Sequence, residues 1–476
     1  MPRLVGRPGG RNLDDARGLL GRDGVAAPTR ALLVTVSAAR RSVAVVALAG
    51  AMVALVAVLA RDVRAATDLF IVAGDVGAGV AVSDAGSAFL VSGGTQPGSR
   101  RPSSVRVRSA APGARFGRAR TLMRSTRTDR AVDAGVASDG SGVIALQTAD
   151  RGRRRVRAIM FDRRGLVGRA VAVSRGNASD FAALDVARSG AAVLVWFRHR
   201  RDGWWRLEAS VRDPAASAFG PAEPVSAFLR RPCCTRVSAA IGERGDAVVT
   251  WSSTSRPAVW AALRTPPEGF RAPETLATDA ADDPRATVGA GGTAAVIYSV
   301  QHVPRGSRDG LKLHRAASGG PFGPAEDVNP GGGVTVGEAT VTRAGRVMVA
   351  WIDTAGARVR VSEAGPGEPL VDAGALGTNV TADGLAVAAD DDGRAVVAWP
   401  QLVSTAPVYR ERTVGALRSA TGAPFGPAVA LGRPWRAVEP EMARLVPRGG
   451  AFVVWKGSRF RGPARRRTAL AVTRLP

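Results

Sequence analysis

A sequence unit that returns about every 51 residues runs from near residue 70 to the C-terminus. One point of the unit is an aromatic or apolar residue followed by Gly or Arg, with Ala or Pro close behind. It occurs at Phe116-Gly117, Val167-Gly168, Phe219-Gly220, Phe270-Arg271, Phe322-Gly323 and Phe425-Gly426. A fixed period of this length indicates a repeat architecture, so the fold follows from the unit.

A second mark has the same period: a Gly begins an apolar run that ends in an aromatic residue six positions later. The pairs are Gly190 and Trp196, Gly245 and Trp251, Gly292 and Tyr298, Gly345 and Trp351, Gly393 and Trp399, and Gly449 and Trp455. Two earlier copies begin at Gly86 and Gly142 but end in Ser92 and Thr148, which brings the count to eight. Five of the nine Trp occupy this position, so most of the tryptophan belongs to the repeat.

Each unit contains four short runs divided by Gly, Pro and Asp. In the seventh unit they cover residues 385–389, 394–399, 409–417 and 424–431. Runs bounded this closely by breakers are typical of strands rather than helices. The pattern therefore predicts an all-β fold, a single β-propeller of about eight four-stranded blades over residues 66–476. Seven blades is the alternative, because the first two units are degenerate.

The two ends of the repeat region predict a closed ring. The last unit has three strands, and a spare strand-like segment lies at residues 68–72, before the first unit. That segment can complete the last blade and cover its open edge. The alternative is that residues 66–73 are a plain linker.

The first 65 residues fit no repeat. Residues 1–41 form a basic leader, which we expect to be disordered, and residues 42–65 form a signal peptide or membrane anchor helix. Its apolar run, residues 43–60, is long for a signal peptide and short for a membrane span. Because Arg40 and Arg41 precede the run, both alternatives predict export, with the repeats outside the membrane. The protein is then either secreted or anchored to the cell membrane.

The net charge of +26 is carried by Arg, since Lys312 and Lys456 are the only lysines. A charge this large favours polyanionic partners, although part of the Arg excess is typical of GC-rich codon usage. The partners we expect are an anionic cell-surface polymer, lipid head groups or an acidic protein, with the membrane contacted through residues 43–60. Nucleic acid is not expected as a partner.

The arginines are predicted to concentrate on one face of the propeller, the face shared by the second-to-third and fourth-to-first strand loops. Tryptophans beside them would add aromatic surface. The candidate binding residues are Arg154, Arg198, Arg200, Arg201, Trp204, Trp205, Arg230, Arg231, Arg433, Trp435 and Arg436. The alternative is a solvated face above core tryptophans.

Cysteine and histidine give no sign of a metal site. The two cysteines, Cys233 and Cys234, are adjacent and lie between two units. Outside the cytoplasm they could form a vicinal disulfide or pair between chains, and otherwise they are small buried thiols. His199, His302 and His314 have no metal-ligand spacing. No nucleotide or cofactor motif is present, so we predict neither metal nor cofactor.

The unit resembles the blade of sialidase-like and WD40-like β-propellers over most of residues 67–476, at the level of strand order and turns. Ser83-Asp84-Ala85-Gly86 and Ser138-Asp139-Gly140 begin the sialidase Asp-box, but its aromatic residue is absent. The resemblance implies a polysaccharide-acting hydrolase or lyase as the alternative function, with Tyr409 as nucleophile beside Glu411. Other carboxylates considered for the central depression are Asp133, Asp180, Asp283 and Glu439. The sequence gives no reason to pair them, so it favours a non-enzymatic binding or scaffold module.

Overall fold

The computed structural model describes residues 67–72, 78–85, 87–93, 103–111, 117–125, 130–150, 153–163, 168–176, 179–200, 202–229, 234–253, 258–278, 281–301, 308–329, 333–381, 384–405, 408–445, 450–460 and 466–475. The described residues all lie in one compact unit, Arg61–Pro476. Every regular element among them is a β-strand. The predicted leader at 1–41 and the predicted helix at 42–65 lie outside the described residues.

The strands form eight four-stranded antiparallel sheets, numbered here along the chain. Sheet 1 contains β2 (Ala78–Val82), β3 (Ala88–Gly93), β4 (Ser103–Ala110) and β5 (Arg120–Ser125). Sheet 2 contains β6 (Arg130–Val136), β7 (Gly142–Asp150), β8 (Arg153–Phe161) and β9 (Val171–Ala172). Sheet 3 contains β10 (Ser179–Val186), β11 (Ala192–His199), β12 (Trp205–Arg212) and β13 (Glu223–Pro224). Sheet 4 contains β14 (Cys234–Ile241), β15 (Ala247–Ser253), β16 (Ala258–Arg264) and β17 (Glu274–Ala277).

The second half of the chain repeats this order. Sheet 5 contains β18 (Ala281–Val288), β19 (Ala294–Gln301), β20 (Arg308–Ala316) and β21 (Glu326–Asp327). Sheet 6 contains β22 (Val334–Val341), β23 (Val347–Asp353), β24 (Arg358–Ala364) and β25 (Val371–Gly377). Sheet 7 contains β26 (Ala386–Ala389), β27 (Ala395–Ser404), β28 (Arg410–Arg418) and β29 (Val429–Ala430). Sheet 8 contains β30 (Ala437–Leu445), β31 (Ala451–Phe460), β32 (Arg466–Leu475) and β1 (Thr67–Val72).

The four strands of a sheet are called a to d, and the Gly-to-aromatic run is strand b of each sheet, as predicted. The Gly that begins the run has positive φ, 89° at Gly190 and 92° at Gly245, which a tight a–b turn requires. In sheet 2 this conformation belongs to Gly140 rather than the predicted Gly142. The aromatic position there is therefore taken by Leu146, not Thr148, because the turn begins two residues earlier than the sequence suggests.

The aromatic residue of strand b packs against the preceding sheet, as predicted. Trp399 belongs to a buried cluster with Val359 and Val361 of sheet 6. The contact is so close that a Cβ on Gly377 would lie 2.7 Å from the Trp399 ring. Burying an aromatic ring between sheets contributes a large part of the packing energy of a β-sheet core. The repeated Trp therefore joins one sheet to the next.

The Phe-Gly motif holds strand d beside strand c through backbone hydrogen bonds. The backbone N–H of Gly220 donates to Val211 O at 2.8 Å, and Gly426 N–H donates to Leu417 O at 2.7 Å. The carboxylate of Glu223, four residues after Phe219, accepts the backbone N–H of Phe270 in the next sheet at 3.0 Å. This motif thus links neighbouring sheets as well as neighbouring strands.

The eight sheets close into a ring. Strands a of successive sheets contact one another from sheet 1 to sheet 8. Sheet 8 meets sheet 1 where Arg444 on β30 donates to Val82 O on β2 at 2.7 Å and where Val454 packs with Val82 and Leu90. Strand β1 pairs with β32 from Thr67 opposite Thr473 to Val72 opposite Thr468. The predicted completion of the last sheet by this segment is confirmed, and the arrangement is consistent with a β-propeller.

The ring has two ends with different loops. The a–b turn face carries the turns between strands a and b, such as residues 187–191, and the c–d loops. The arginine face is the opposite end, with the b–c and d–a loops, such as residues 200–204 and 431–436. In the part of the chain described here, no helix has the length and apolarity needed to cross a membrane.

Candidate functional site

Two arginines of sheet 3 on the arginine face share one buried acid. Glu208 is only 2% exposed and lies in β12. Its Oε1 accepts Arg198 Nη1 at 2.9 Å and Arg206 Nη2 at 2.6 Å, and its Oε2 accepts Trp196 Nε1. A buried carboxylate with this many donors is held as part of the core. The charges of Arg198 and Arg206 are therefore partly compensated by Glu208 within the protein.

Two further predicted arginines also have acidic partners. Arg200 Nη2 lies 2.7 Å from Asp202, and its guanidinium stands over the ring of Phe228. Arg154 Nη1 lies 2.7 Å from Asp180, whose second oxygen is 3.2 Å from His199 Nε2. Exposed pairs of this kind contribute little to stability, but they reduce the charge offered to a ligand.

The tryptophans of the predicted site do not form an aromatic surface. Trp205 and Trp435 are 1% and 2% exposed and belong to the core between sheets, while Trp204 is half-buried. For Trp205 and Trp435 the alternative of core tryptophans therefore holds. The sequence could not distinguish a buried tryptophan from a surface tryptophan here, because both can be neighbours of arginines in the chain.

A second group of predicted arginines, on sheet 7, is exposed. Glu411 and Trp435 exchange two backbone hydrogen bonds of 2.7 Å, which sets Arg410 beside Arg436 in the antiparallel register. Arg410, Arg433 and Arg436 are all exposed, and Tyr409 is 43% exposed. We call Tyr409, Arg410, Arg433 and Arg436 the sheet 7 patch. Among the described residues, Arg410 and Arg433 have no acidic partner.

Tyr409 makes one contact with a buried acid. Its hydroxyl donates to Glu411 Oε1, while Glu411 Oε2 accepts the backbone N–H of Val438 at 2.9 Å. Glu411 is 1% exposed, so its carboxylate is oriented from both sides. Tyr409 and Glu411, which the sequence analysis considered together, are therefore joined by a hydrogen bond. It lies where sheet 7 meets sheet 8.

Several predicted site residues cannot be placed. Arg201, Arg230, Arg231 and Cys233 lie outside the described residues, and only the backbone of Cys234, at the start of β14, is described. The proposed cysteine pairing stays a prediction.

The carboxylates considered for catalysis are not brought together. Asp133, Asp180, Asp283 and Glu439 lie on strands a of sheets 2, 3, 5 and 8. Burial raises the pKa of Asp133 to about 7, and the nearby carboxylates of Asp185 and Glu441 add to the shift. Asp283 instead lies near Arg236 and Arg285, at 3.7 and 3.6 Å. Among the described residues no cluster of three His, Cys, Asp or Glu side chains has metal-binding geometry.

A cavity of about 650 Å³ opens on the a–b turn face, where strands a of sheets 3 to 8 end. We call it the funnel. Its inner wall includes Ile241, Val288, Val341 and Leu445, and its rim carries the charged turn residues Arg188, Glu243, Arg343, Asp390, Asp391, Asp392 and Arg394. Sequence analysis missed this site, because its residues come from six different units.

Ion pairs between adjacent and non-adjacent sheets narrow the funnel. Asp84 of sheet 1 binds Arg444 Nε at 2.7 Å from sheet 8 and Arg188 Nη2 at 2.5 Å from sheet 3. Arg343 of sheet 6 lies 2.6 Å from Glu243 of sheet 4. Burial raises the pKa of Asp185 and lowers that of Arg444, both on the funnel wall. These contacts bind the turns of the ring to one another.

The comparisons with known proteins do not define a family. No family model matches the sequence, and no curated protein matches it. Among solved structures, a prolyl endopeptidase aligns at a TM-score of 0.44 and 14% identity over 85% of this chain and 55% of its own. The β-propeller domain of a protease from Pyrococcus furiosus aligns at 0.41 and 9% over 73% and 97%. A Hadza microbial sialidase aligns at 0.37 and 10% over 78% and 82%. At these scores the fold is assigned from the chain's own sheets.

Proposed function

We propose that this chain is an exported, eight-bladed β-propeller that acts as a binding module for an anionic partner. The observation that supports it best is the sheet 7 patch, where Arg410, Arg433 and Arg436 are exposed together. On sheet 3, by contrast, Arg198, Arg200 and Arg206 are all ion-paired with Glu208 or Asp202. Among the candidate residues that the structure describes, the sheet 7 patch is therefore the group that we propose offers positive charge to a ligand.

The chemistry of the patch suits a repeating anion. A guanidinium binds phosphate or carboxylate through two parallel hydrogen bonds, and its charge persists at all physiological pH values. Three such groups on adjoining segments can contact successive charges of one polymer. We therefore propose an anionic cell-surface polymer as the ligand, with lipid head groups and acidic proteins as competitors in the test.

Binding to inorganic polyphosphate tests this role. We would compare the full-length protein with a variant carrying Arg410→Gln, Arg433→Gln and Arg436→Gln. Arg118, Arg120 and Arg169 are also exposed but lie beside the c–d loops, so the same three changes there make a charge-matched control. We expect the patch variant to bind about tenfold more weakly and the control less than about twofold.

The salt dependence completes the test. Attraction between exposed charges must weaken steeply as ionic strength rises, because the Debye length falls to about 8 Å at physiological salt. Equal loss in the two variants would mean that the total charge, not the patch, governs binding. Preference for anionic vesicles or polyglutamate over polyphosphate would identify the competing partner.

Export is a separate part of the proposal, supported by the apolar run at 43–60 behind Arg40 and Arg41. Cell fractionation tests it. A soluble mature protein that starts near Ala66 means cleavage, and a membrane-bound protein accessible to external protease means a retained anchor. A soluble cytoplasmic protein would contradict export.

A polysaccharide-acting hydrolase or lyase is the second candidate, and the hydrogen bond from Tyr409 to buried Glu411 is the observation that favours it. An oriented carboxylate can accept the proton of an attacking hydroxyl. Release of reducing ends from an anionic polysaccharide, lost in Tyr409→Phe, would support an enzyme. Unchanged polymer after long incubation would leave the pair as a structural contact.

A further inference from the structure

We infer that the funnel on the a–b turn face is a second binding site, and that its ligand is a small zwitterion such as a short peptide with free termini. The site lies at the opposite end of the ring from the sheet 7 patch. It therefore does not depend on the anion-binding role proposed above.

One side of the funnel carries two arginines, Arg188 and Arg444, beside the carboxyl of Asp185, which accepts the backbone N–H groups of Val186 and Ile241. The guanidinium groups of Arg188 and Arg444 share the single carboxylate of Asp84. Arg444 also donates to Val82 O and Val136 O, which places its guanidinium against sheets 1 and 2. Its Nη2 is buried and has no hydrogen-bond partner among the described residues. A donor left unsatisfied in this way is costly, and an anionic ligand group entering the funnel would relieve the cost.

The facing side is acidic. Asp391 and Asp392, in the a–b turn of sheet 7, are exposed and have no basic side-chain partner among the described residues, whereas Asp390 is paired with Arg394 at 2.6 Å. Thr342 lies on the sheet 6 side of the funnel. It is 3% exposed, and its Oγ1 has no partner within the described part of the chain. A hydroxyl beside carboxylates suits an ammonium group.

The ring geometry sets these two sides apart. In a ring of eight sheets, sheet 3 stands opposite sheet 7 and sheet 2 opposite sheet 6. The arginine side, with Arg444 Nη2, and the carboxylates of Asp391 and Asp392 therefore face each other across the cavity. Asp391 Oδ1 also accepts the backbone N–H of Ala344 at 2.8 Å. A ligand with an ammonium at one end and a carboxylate at the other satisfies both sides at once.

The body of the ligand would contact an apolar wall. Ile241, Val288, Val341 and Leu445 line the funnel between the charged sides. Its volume of about 650 Å³ falls within the usual range of ligand pockets, roughly 300–1,000 Å³. A simple anion would be repelled by Asp391 and Asp392. A simple cation would be repelled by Arg188 and by the net charge of +26. The zwitterion avoids both penalties.

Titration calorimetry with three peptides tests the inference on the full-length protein. The probes are trialanine with free termini, its N-acetylated form and its C-terminal amide. We expect trialanine to bind with a Kd of about 1 mM or tighter, and each blocked form to bind about tenfold more weakly. No binding of trialanine, or equal binding of all three peptides, would overturn the proposal.

Variants assign each terminus to its side of the funnel. Asp391→Asn with Asp392→Asn should abolish the preference for trialanine over the N-acetylated form and leave the preference over the amide. Arg188→Gln should do the reverse. Glu268→Gln and Arg169→Gln, exposed changes away from the funnel, should leave both preferences intact. If the preferences persist in the funnel variants while all proteins unfold at the same temperature, binding occurs elsewhere and the inference fails.

Discussion

Buried arginines at the end of strand c hold the a–b turns of their own sheets. Arg212, Arg264 and Arg418 occupy equivalent positions and donate to the carbonyls of Gly190, Gly245 and Gly393. Arg418 also forms an ion pair with Glu363 of the preceding sheet. Part of the arginine excess is therefore structural, a role that codon usage alone does not predict.

Replacing one of these arginines should destabilise the protein strongly. We expect Arg418→Met to lower the free energy of unfolding by about 3 kcal/mol, because Glu363 and Gly393 O lose a buried partner. Arg433→Met, an exposed change of the same kind, should alter it by less than about 0.5 kcal/mol. Chemical denaturation compares the two. Equal losses of unfolding free energy in the two variants would mean that the buried contacts of Arg418 do not stabilise the fold.

Asp133 should make stability depend on pH. Burial raises its pKa from 3.8 to about 7 in the folded protein. Its bound proton therefore stabilises the fold below about pH 4, and this stabilisation is lost as pH rises toward 7. We expect Asp133→Asn to stabilise the protein by roughly 2–4 kcal/mol near pH 8 and to have little effect near pH 4. A variant with the same effect at both pH values would contradict the raised pKa.

At the residue scale, the sequence predicts packing better than polar contacts. The spacing from Gly393 to Trp399 identifies a buried aromatic residue, because strand alternation and the turn fix its direction. Arg444 and Asp84 are 360 residues apart, and Arg343 and Glu243 are 100 apart. No local sequence pattern identifies partners that lie this far apart in the chain. The funnel was missed for this reason, and the sheet 3 and sheet 7 arginines looked alike.

At the scale of the element, all four strands of a unit were predicted, but strand d is shorter in several sheets than the sequence indicates. The sequence indicates a run over 424–431, but β29 covers only Val429–Ala430. Four of the outer strands are two residues long: β9, β13, β21 and β29. The backbone bond from Gly426 to Leu417 holds the segment beside strand c without a long ladder. Hydrophobic alternation cannot reveal a strand this short.

Close packing between successive sheets gives a test at this scale. A Cβ on Gly377 would lie 2.7 Å from the ring of buried Trp399, so Gly377→Ala forces the ring or the strand to move. We expect a loss of about 1–3 kcal/mol in the free energy of unfolding. Gly310→Ala meets its nearest heavy atom at 3.6 Å and serves as the control. Comparable losses in both would argue against a specific ring contact.

At the scale of the whole molecule, the two ends of the ring differ in chemistry. The arginine face carries exposed guanidinium groups on sheet 7, whereas the a–b turn face mixes acids and arginines around the funnel. The two ends of the ring therefore differ in the charges that they expose. The sequence predicted the ring from its period, but the charge of the a–b turn face depends on pairings across units.

Ring closure by the first and last strands is the claim on which both faces depend. Leu69 lies opposite Ala471 in the register of β1 and β32. In a Cys233→Ser, Cys234→Ser background we would introduce Leu69→Cys with Ala471→Cys, and as a control Leu69→Cys with Ala469→Cys, a pair offset by two residues and too far apart for a disulfide.

Electrophoresis of the oxidised, denatured proteins without reductant gives the result. A closed ring predicts that the first pair forms an intramolecular disulfide and migrates faster, because it ties residues about 400 positions apart, while the offset pair does not. Cross-linked dimers alone, or equal oxidation of both pairs, would contradict a ring closed by β1 and β32.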